Sequence, residues 1–141
     1  MSLTLDVAQK IVAGVFAYAK TQNLKPIAVG VLDARGALKA FAAQDATSLK
    51  RGEIALGKAN GALALGMGTR ALMKRAETQP AFMSAVGVAI GGGLIPVPGG
   101  VLIKQAGAVV GAVGVSGDTS DNDEAAAVAG ITDAGLDADG G

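Results

Sequence analysis

The alternation of apolar and polar residues divides the chain into helical and extended segments. Over residues 5–23 apolar side chains recur every three or four positions, which predicts an amphipathic helix with Thr4 as its N-cap. Residues 27–32 and 37–42 are short apolar runs on either side of a turn that contains Gly36, which predicts a β-hairpin. Residues 49–65 and 69–77 are predicted helices, the second one capped by Thr69.

A long uncharged stretch follows these helices and has two possible structures. No residue from Met83 to Ile103 is charged, and this is about the length that a transmembrane helix needs. Eight residues of the stretch are glycine or proline, however, and each destabilises a helix interior, glycine by about 1 kcal/mol and proline by about 3. We therefore predict strands over residues 86–90, 101–103 and 109–115, and no membrane span.

The last part of the chain is predicted to be a helix through Ile131, opened by a capping box of Asp121 and Glu124. Residues 1–134 then form a single domain, and residues 135–141 a flexible C-terminal tail. The order of the elements indicates an α+β fold, with an antiparallel sheet of about five strands and helices beside it. In the helix over residues 49–65, Gly57 and Gly61 lie one turn apart, which favours close packing on the sheet or contact between subunits.

Charge and composition narrow the class of protein. The formal net charge is zero, so nothing indicates a nucleic-acid partner or an anionic membrane surface. The chain has no cysteine and no histidine, which excludes disulfides and removes the commonest metal ligand and general base. The N-terminus lacks the basic region and cleavage site of a signal peptide, so a cytoplasmic location is the default expectation.

Two segments are candidates for contact with a small molecule. Gly91, Gly92 and Gly93, with Pro96 behind them, form either a turn or a backbone wall close to a ligand, since both need residues without a Cβ. Lys58 interrupts an apolar helix face, where it could act as a base or Schiff-base amine, or could extend to water.

A third segment, rich in acids, is a weaker candidate for a site. Four carboxylates there could bind a hard cation, but helix capping and compensation of the helix dipole explain them, so no metal site is predicted. These acids are Asp118, Asp121, Asp123 and Glu124.

Several motifs in a fixed order carry a family resemblance. They are GGGLIPV at residues 91–97, GAVGVSG at 111–117, AVAGI at 127–131, IAVGVLDARGAL at 27–38, and Lys58-Ala59 with Thr69. This set resembles the haem-degrading GlcG–HbpS family, which includes the C-terminal domain of PduO-type proteins. The resemblance implies a profilin-like sheet of five antiparallel strands, a role in haem binding, and a cavity bordered by residues 91–96 and the helix of Lys58.

The residue inventory bears on the haem expectation. Haem iron is usually held by His, Cys, Met or Tyr, and of these the chain offers only Tyr18 and its methionines. We predict a homo-oligomer that binds a small molecule, with haem or a related tetrapyrrole as the ligand that the resemblance implies. Lys58 and the glycine amides would suit an anionic ligand. The alternatives are a small catabolic-pathway enzyme acting on an organic acid or aldehyde, and a structural accessory subunit.

Overall fold

The computed structural model describes residues 2–141, and within them the chain forms five α-helices and five β-strands. The elements in chain order are α1 (Leu5–Thr21), β1 (Ala28–Asp33), β2 (Leu38–Ala43), α2 (Arg51–Leu65), α3 (Thr69–Thr78), α4 (Pro80–Ala89), β3 (Gly100–Gln105), β4 (Ala108–Ser116), α5 (Ser120–Asp133) and β5 (Asp137–Asp139). This confirms the α+β class, with helices on both sides of one antiparallel sheet.

The sheet has the strand order β2-β1-β4-β3-β5, and all of its neighbours are antiparallel. Strands β1 and β4 are its centre, where Val29 pairs with Val115 and Val31 with Val113. Strand β1 and residues 110–116 of β4 are buried on both faces because helices cover both sides of the sheet.

The helices divide the core into two layers. Helices α1 and α5 pack on one face of the sheet, against Val29, Val31 and Val113 among others. Helix α2 packs on the other face, against Leu32, Leu102 and Ala112. Neighbouring strand residues such as Val31 and Leu32 belong to different layers because successive side chains point to opposite faces. Helices α3 and α4 lie outside these two layers.

Glycines in the sheet let α2 approach unusually closely. A methyl group at Gly114 would overlap the carbonyl oxygen of Ala55, and one at Gly100 would lie 2.5 Å from the carbonyl oxygen of Lys58. Both obstacles are backbone atoms of α2, so they cannot move aside as a flexible side chain could. The position of α2 on the sheet therefore depends on residues without a Cβ at these two strand positions.

Two predicted elements are wrong in kind. Residues 86–90, predicted as a strand, are instead the end of α4 and its C-cap Ile90. The helix has Pro80 in its first turn, which is a favourable position for proline. Residues 137–139, predicted as part of a flexible tail, form β5 instead and pair with β3, with Ala138 opposite Ile103. The sheet thus has the expected five strands, but its fifth strand comes from the C-terminus.

The helix caps also differ in part from the predictions. The Thr4 cap is confirmed, since the amide of Val7 donates to its hydroxyl. Helix α5 is capped by Thr119, whereas the predicted cap Asp121 forms an ion pair with Arg70. Thr69 is not a cap, because its buried hydroxyl exchanges hydrogen bonds with the backbone of Gly100. Within residues 2–141, no helix combines the length and the apolar character that crossing a membrane would require.

Candidate functional site

An open cleft of about 420 Å³ lies between α2 and the segment that follows α4. One wall is the outer side of α2, the second is the chain from Ile90 to Gly93, and the third is the β1–β2 hairpin. The lining residues are Leu32, Gly36, Leu38, Glu53, Leu56, Gly57, Asn60, Ile90, Gly91 and Gly93. The cleft is therefore mainly aliphatic and backbone surface, with one carboxylate and one amide.

The second wall is held on α2 by specific contacts. The Asn60 side-chain amide donates to the carbonyl oxygen of Gly93 at 2.9 Å. Methyl groups at Gly57 and Gly61 would come within 2.7 Å of Ile95 and 2.8 Å of Leu94, respectively. The two helix glycines thus make room for residues 94–95 of the same chain. The sequence had suggested packing on the sheet or contact between subunits, and this contact is neither of them.

Gly91 and Gly92 follow the end of α4, and their backbone N–H groups donate hydrogen bonds to carbonyl oxygens of that helix. Both have positive φ angles, and their N–H groups donate to the carbonyl oxygens of Val88 and Gly87. This is the hydrogen-bond pattern of a Schellman motif, in which a left-handed residue closes a helix. Gly91 and Gly93 line the cleft, and their contact with a ligand stays a prediction. Gly92 and Pro96 are not among its lining residues.

Lys58 lies on the opposite side of α2 from the cleft. Its side chain is 2% exposed, and its ammonium donates to Asp123 at 3.1 Å and to the carbonyl oxygen of Val115 at 2.9 Å. Consecutive residues of a helix point about 100° apart, so Gly57 can face the cleft while Lys58 faces the sheet. The structure therefore does not bring Lys58 together with the three glycines.

The partner of Lys58 is equally buried and well satisfied. Asp123 is 2% exposed at its side chain and also accepts a hydrogen bond from the amide of Asp118. Burial lowers the pKa of Lys58, while the charge of Asp123 opposes that change. Burial raises the pKa of Asp123, and the Lys58 ammonium opposes it. The pair joins α2 to α5 across the sheet, so it is a link within the fold.

The charge of the cleft differs from the predicted one. Glu53 is the only charged residue among those that line it in the described part of the chain. The cationic wall expected from Lys58 is thus replaced by a carboxylate on the rim, which favours neutral or cationic groups over anionic ones.

The residues that could hold a haem iron lie elsewhere. None of Tyr18, Met67, Met73 and Met83 is among the residues that line the cleft. Tyr18 packs against the core between the sheet and helices α1 and α5, and Met83 is the buried residue of α4 itself. The lining of this cleft therefore does not fit a haem iron held by one of its usual axial ligands.

Sequence reasoning missed three of the residues that shape the cleft. Glu53, Leu56 and Asn60 project from successive turns of α2, and their spacing of three and four places them on one helix face. Asn60 could have indicated this contact from the sequence, because a side-chain amide within a helix of alanine and glycine usually has a specific hydrogen-bond partner.

Solved structures with the same fold include proteins connected with haem. A structure described as a PduOC–haem complex matches with a TM-score of 0.86 and 21% identity, over 96% of this chain and 97% of that one. The Klebsiella pneumoniae protein ORFY matches with a TM-score of 0.85 and 27% identity, over 94% of this chain and 90% of the other. HbpS matches with a TM-score of 0.81 and 27% identity, over 94% and 89% of the two chains.

The family assignment comes from a sequence model. Among curated proteins, a sequence search finds no match. The family model described as haem-degrading protein HbpS-like, in contrast, matches residues 3–132, from just before α1 to nearly the end of α5. This match includes all three walls of the cleft and both members of the Lys58–Asp123 pair. The chain therefore belongs to the haem-degrading HbpS-like family, as its ordered motifs predicted.

Proposed function

We propose that this protein binds a small, mainly apolar molecule in the cleft between α2 and residues 90–93. The observation that carries the proposal is the cleft itself, whose volume of about 420 Å³ and aliphatic walls suit a small ligand. The amide of Asn60 is already bonded to Gly93, so the Glu53 carboxylate is the polar group that remains to orient a ligand. A ligand with a neutral or cationic edge is favoured there.

A tetrapyrrole is the first ligand class to test, with its neutral vinyl edge facing Glu53 and its two anionic propionates directed out of the open cleft. The family description names haem, and a structural relative is described as a haem complex. The absence of histidine and cysteine from the sequence supports binding through the macrocycle rather than through a strong iron ligand. We therefore expect metal-free protoporphyrin IX and hemin to bind with similar affinity, and hemin to show no sharp low-spin Soret band.

The buried lysine supports binding over the enzyme alternative. A Schiff-base or general-base lysine must reach its substrate, but the Lys58 amine is directed towards Asp123 and Val115 on the far side of α2. The hypothesis of an anionic ligand loses its main argument for the same reason, because the Lys58 ammonium does not face the cleft. The predicted homo-oligomer remains part of the proposal.

The test is calorimetric titration of both porphyrins into three forms of the protein. Leu38→Trp narrows the mouth of the cleft and should weaken binding by roughly tenfold or more. Leu49→Trp is the matched control, because Leu49 is 88% exposed and does not line the cleft, so binding should be unchanged. Equal binding by Leu38→Trp, or binding of hemin alone, would contradict the proposal.

Glu53→Gln refines the same experiment. Removing the carboxylate should weaken a ligand whose edge is cationic and strengthen one whose edge is anionic, with little change for a neutral one. The variant is expected to fold normally, because the Glu53 side chain is 67% exposed and its ion pair with Lys50 spans 4.0 Å at the surface. The sign of the change in affinity therefore identifies the ligand charge that faces α2.

A further inference from the structure

Strand β2 leaves one edge of the sheet open. Of the two edge strands, β5 has three residues, whereas β2 has six and pairs with β1 on one side. The amide of Gln44 donates to the carbonyl oxygen of Ile27, and the backbone of Ala42 faces β1 as well, because this direction alternates along an antiparallel strand. The N–H and C=O groups of Phe41 and Ala43 therefore point away from the sheet, and they form no hydrogen bond within residues 2–141.

The protection of this edge is confined to its hairpin end. Sheet edges are often shielded by a bulge or by a lysine, which keep further strands away. In β2 the irregular position is Lys39, which lies next to the hairpin and has no opposite residue in β1. Residues 40–43 keep a regular register with β1. An extended chain can therefore form hydrogen bonds with both Phe41 and Ala43.

A groove runs beside the open edge, between α1 and β2. Three adjoining depressions of about 500, 500 and 530 Å³ form this groove. Neighbouring depressions share lining residues: Ala13 and Phe16 belong to the first and second, and Leu24 and Gln44 to the second and third. An open strand edge beside pockets for side chains is the arrangement in which proteins bind extended peptides by strand addition.

The walls beside this edge are apolar on both faces of the sheet. Side chains of an added strand alternate between the two faces. Those on the α1 face would meet Val12, Ala13 and Phe16, which line the groove. Those on the α2 face would meet the ring of Phe41, which is 44% exposed and lies beside Gly52 of α2. The peptide that fits best is therefore aliphatic along its middle.

Two lysines give the groove a positive charge along β2. Lys39 lines the first depression and Lys20 the second, and within residues 2–141 neither forms an ion pair. The acid of the groove, Asp45, lines the third depression, beyond the end of β2. Carboxylates on a partner would be attracted to both lysines. A second copy of this chain joined edge to edge would instead bring two further lysines to the same place.

We infer that the groove binds an extended acidic segment of another protein, which adds to β2 as a further strand. About six residues of this segment would pair along β2, which itself has six. Aliphatic side chains fill its middle, and a carboxylate near each end faces Lys39 or Lys20. None of the residues that line the groove lines the ligand cleft, so this binding does not depend on the proposed function.

The first experiment is selection of random decapeptides displayed on phage against the purified wild type. The enriched peptides should be rich in valine, isoleucine and leucine, with aspartate or glutamate near their ends. Failure to enrich any peptide, or enrichment of basic ones, would overturn the inference.

The second experiment measures one enriched peptide against three variants by fluorescence anisotropy. Ala43→Pro removes an outward N–H that β1 does not use, so the fold should be kept while affinity falls about tenfold or more. Lys39→Glu should weaken binding about fivefold or more, and a peptide whose acids are replaced by lysine should bind this variant better than it binds the wild type. Lys74→Glu is the matched control, because it makes the same charge change at an exposed residue of α3 and should leave affinity unchanged.

Amide hydrogen exchange of the complex locates the bound peptide. Exchange at Phe41 and Ala43 should slow about tenfold or more, whereas exchange at Ala42, whose amide faces β1, should not change. Protection elsewhere without protection of Phe41 and Ala43, or equal binding by Ala43→Pro, would contradict strand addition. Self-association of the wild type that Ala43→Pro abolishes would show that a second copy occupies the edge, and this too would overturn the inference.

Discussion

On one side of α2 the Lys58 ammonium is enclosed with Asp123, whereas on the other side Gly57 and Asn60 line an open cleft. The enclosed side contains two opposite charges, each 2% exposed, and joins two layers of the fold. The open side has a solvent-exposed carboxylate and mainly aliphatic walls. Residues that are neighbours in the sequence therefore have different roles: Lys58 contributes to the link between α2 and α5, and Gly57 to the shape of the cleft.

The surroundings of Lys58 explain why a lysine in an apolar helix can be mistaken for a catalytic or ligand-binding residue. A lysine in an apolar helix suggests chemistry, because burial lowers the pKa of an amine. Here a carboxylate from α5 and a carbonyl oxygen from β4 complete its hydrogen bonds. Burial and a complete set of partners are typical of a structural ion pair, and they differ from an active-site amine that is exposed to substrate.

We expect the largest loss of stability when one member of the buried Lys58–Asp123 pair is removed. Asp123→Ala should lower the free energy of unfolding by about 3–5 kcal/mol, because it leaves the buried Lys58 ammonium without its counter-charge. Urea denaturation measures this change. The double variant Lys58→Met/Asp123→Leu replaces both charges with apolar groups and should be clearly more stable than Asp123→Ala alone. If the effects of the two sites were additive, the pair would not be coupled.

The next largest loss of stability is expected at a glycine on the enclosed side of α2, and a much smaller change at a glycine on its open side. Gly114→Ala should destabilise the protein by about 3 kcal/mol, because its methyl group meets the backbone of Ala55. Gly57→Ala should change the stability by less than about 1 kcal/mol, since its methyl group meets the movable Ile95 side chain and alanine favours the helix. Thermal unfolding of both variants tests this order, and equal losses would contradict it.

A smaller effect is expected where α5 begins. Thr119→Ala should lower the free energy of unfolding by about 1 kcal/mol, because the Asn122 amide loses the hydroxyl that caps it. Asp121→Ala should cost less than Thr119→Ala, since the Asp121 side chain is 79% exposed and its ion pair with Arg70 is at the surface. Chemical denaturation of the two variants decides between Thr119 and the cap predicted from the sequence; a larger loss for Asp121→Ala would favour the latter.

The smallest effect is the dependence of stability on pH. Stability is expected to fall with rising pH in one range and to rise with pH in another. The raised pKa of Asp123 means that the folded state binds this proton more tightly, so stability falls as pH rises from about 4 through the raised value. The lowered pKa of Lys58 means that the unfolded state binds that proton more tightly. Stability therefore rises as pH increases from the lowered value towards about 10.4.

The Lys58→Met/Asp123→Leu variant is the reference for this measurement because it has neither titrating group. The stability of the wild type relative to this variant should pass through a minimum between the two ranges of pH. A maximum there would show that attraction between the charges exceeds the effect of their burial. Denaturation midpoints of both proteins across the pH range provide the test.

The sequence by itself determined the elements whose signals are local. The helical period over α1, the apolar runs of β1 and β4, and the N-cap Thr4 were all readable, and together with the ordered motifs they indicated the α+β fold and the family. These features depend on near neighbours in the chain, so a linear pattern is sufficient to predict them.

Only the tertiary structure decided which side of α2 each residue faces and which segment completes the sheet. Residues 86–90 resemble a strand in composition, but Pro80 opens a helix there and Gly91 closes it, and β5 takes the sheet edge beside β3. Lys58 and Asp123 are 65 positions apart, and no local pattern shows that they meet. Contacts of this kind depend on how whole layers pack, and the sequence of one helix does not contain that information.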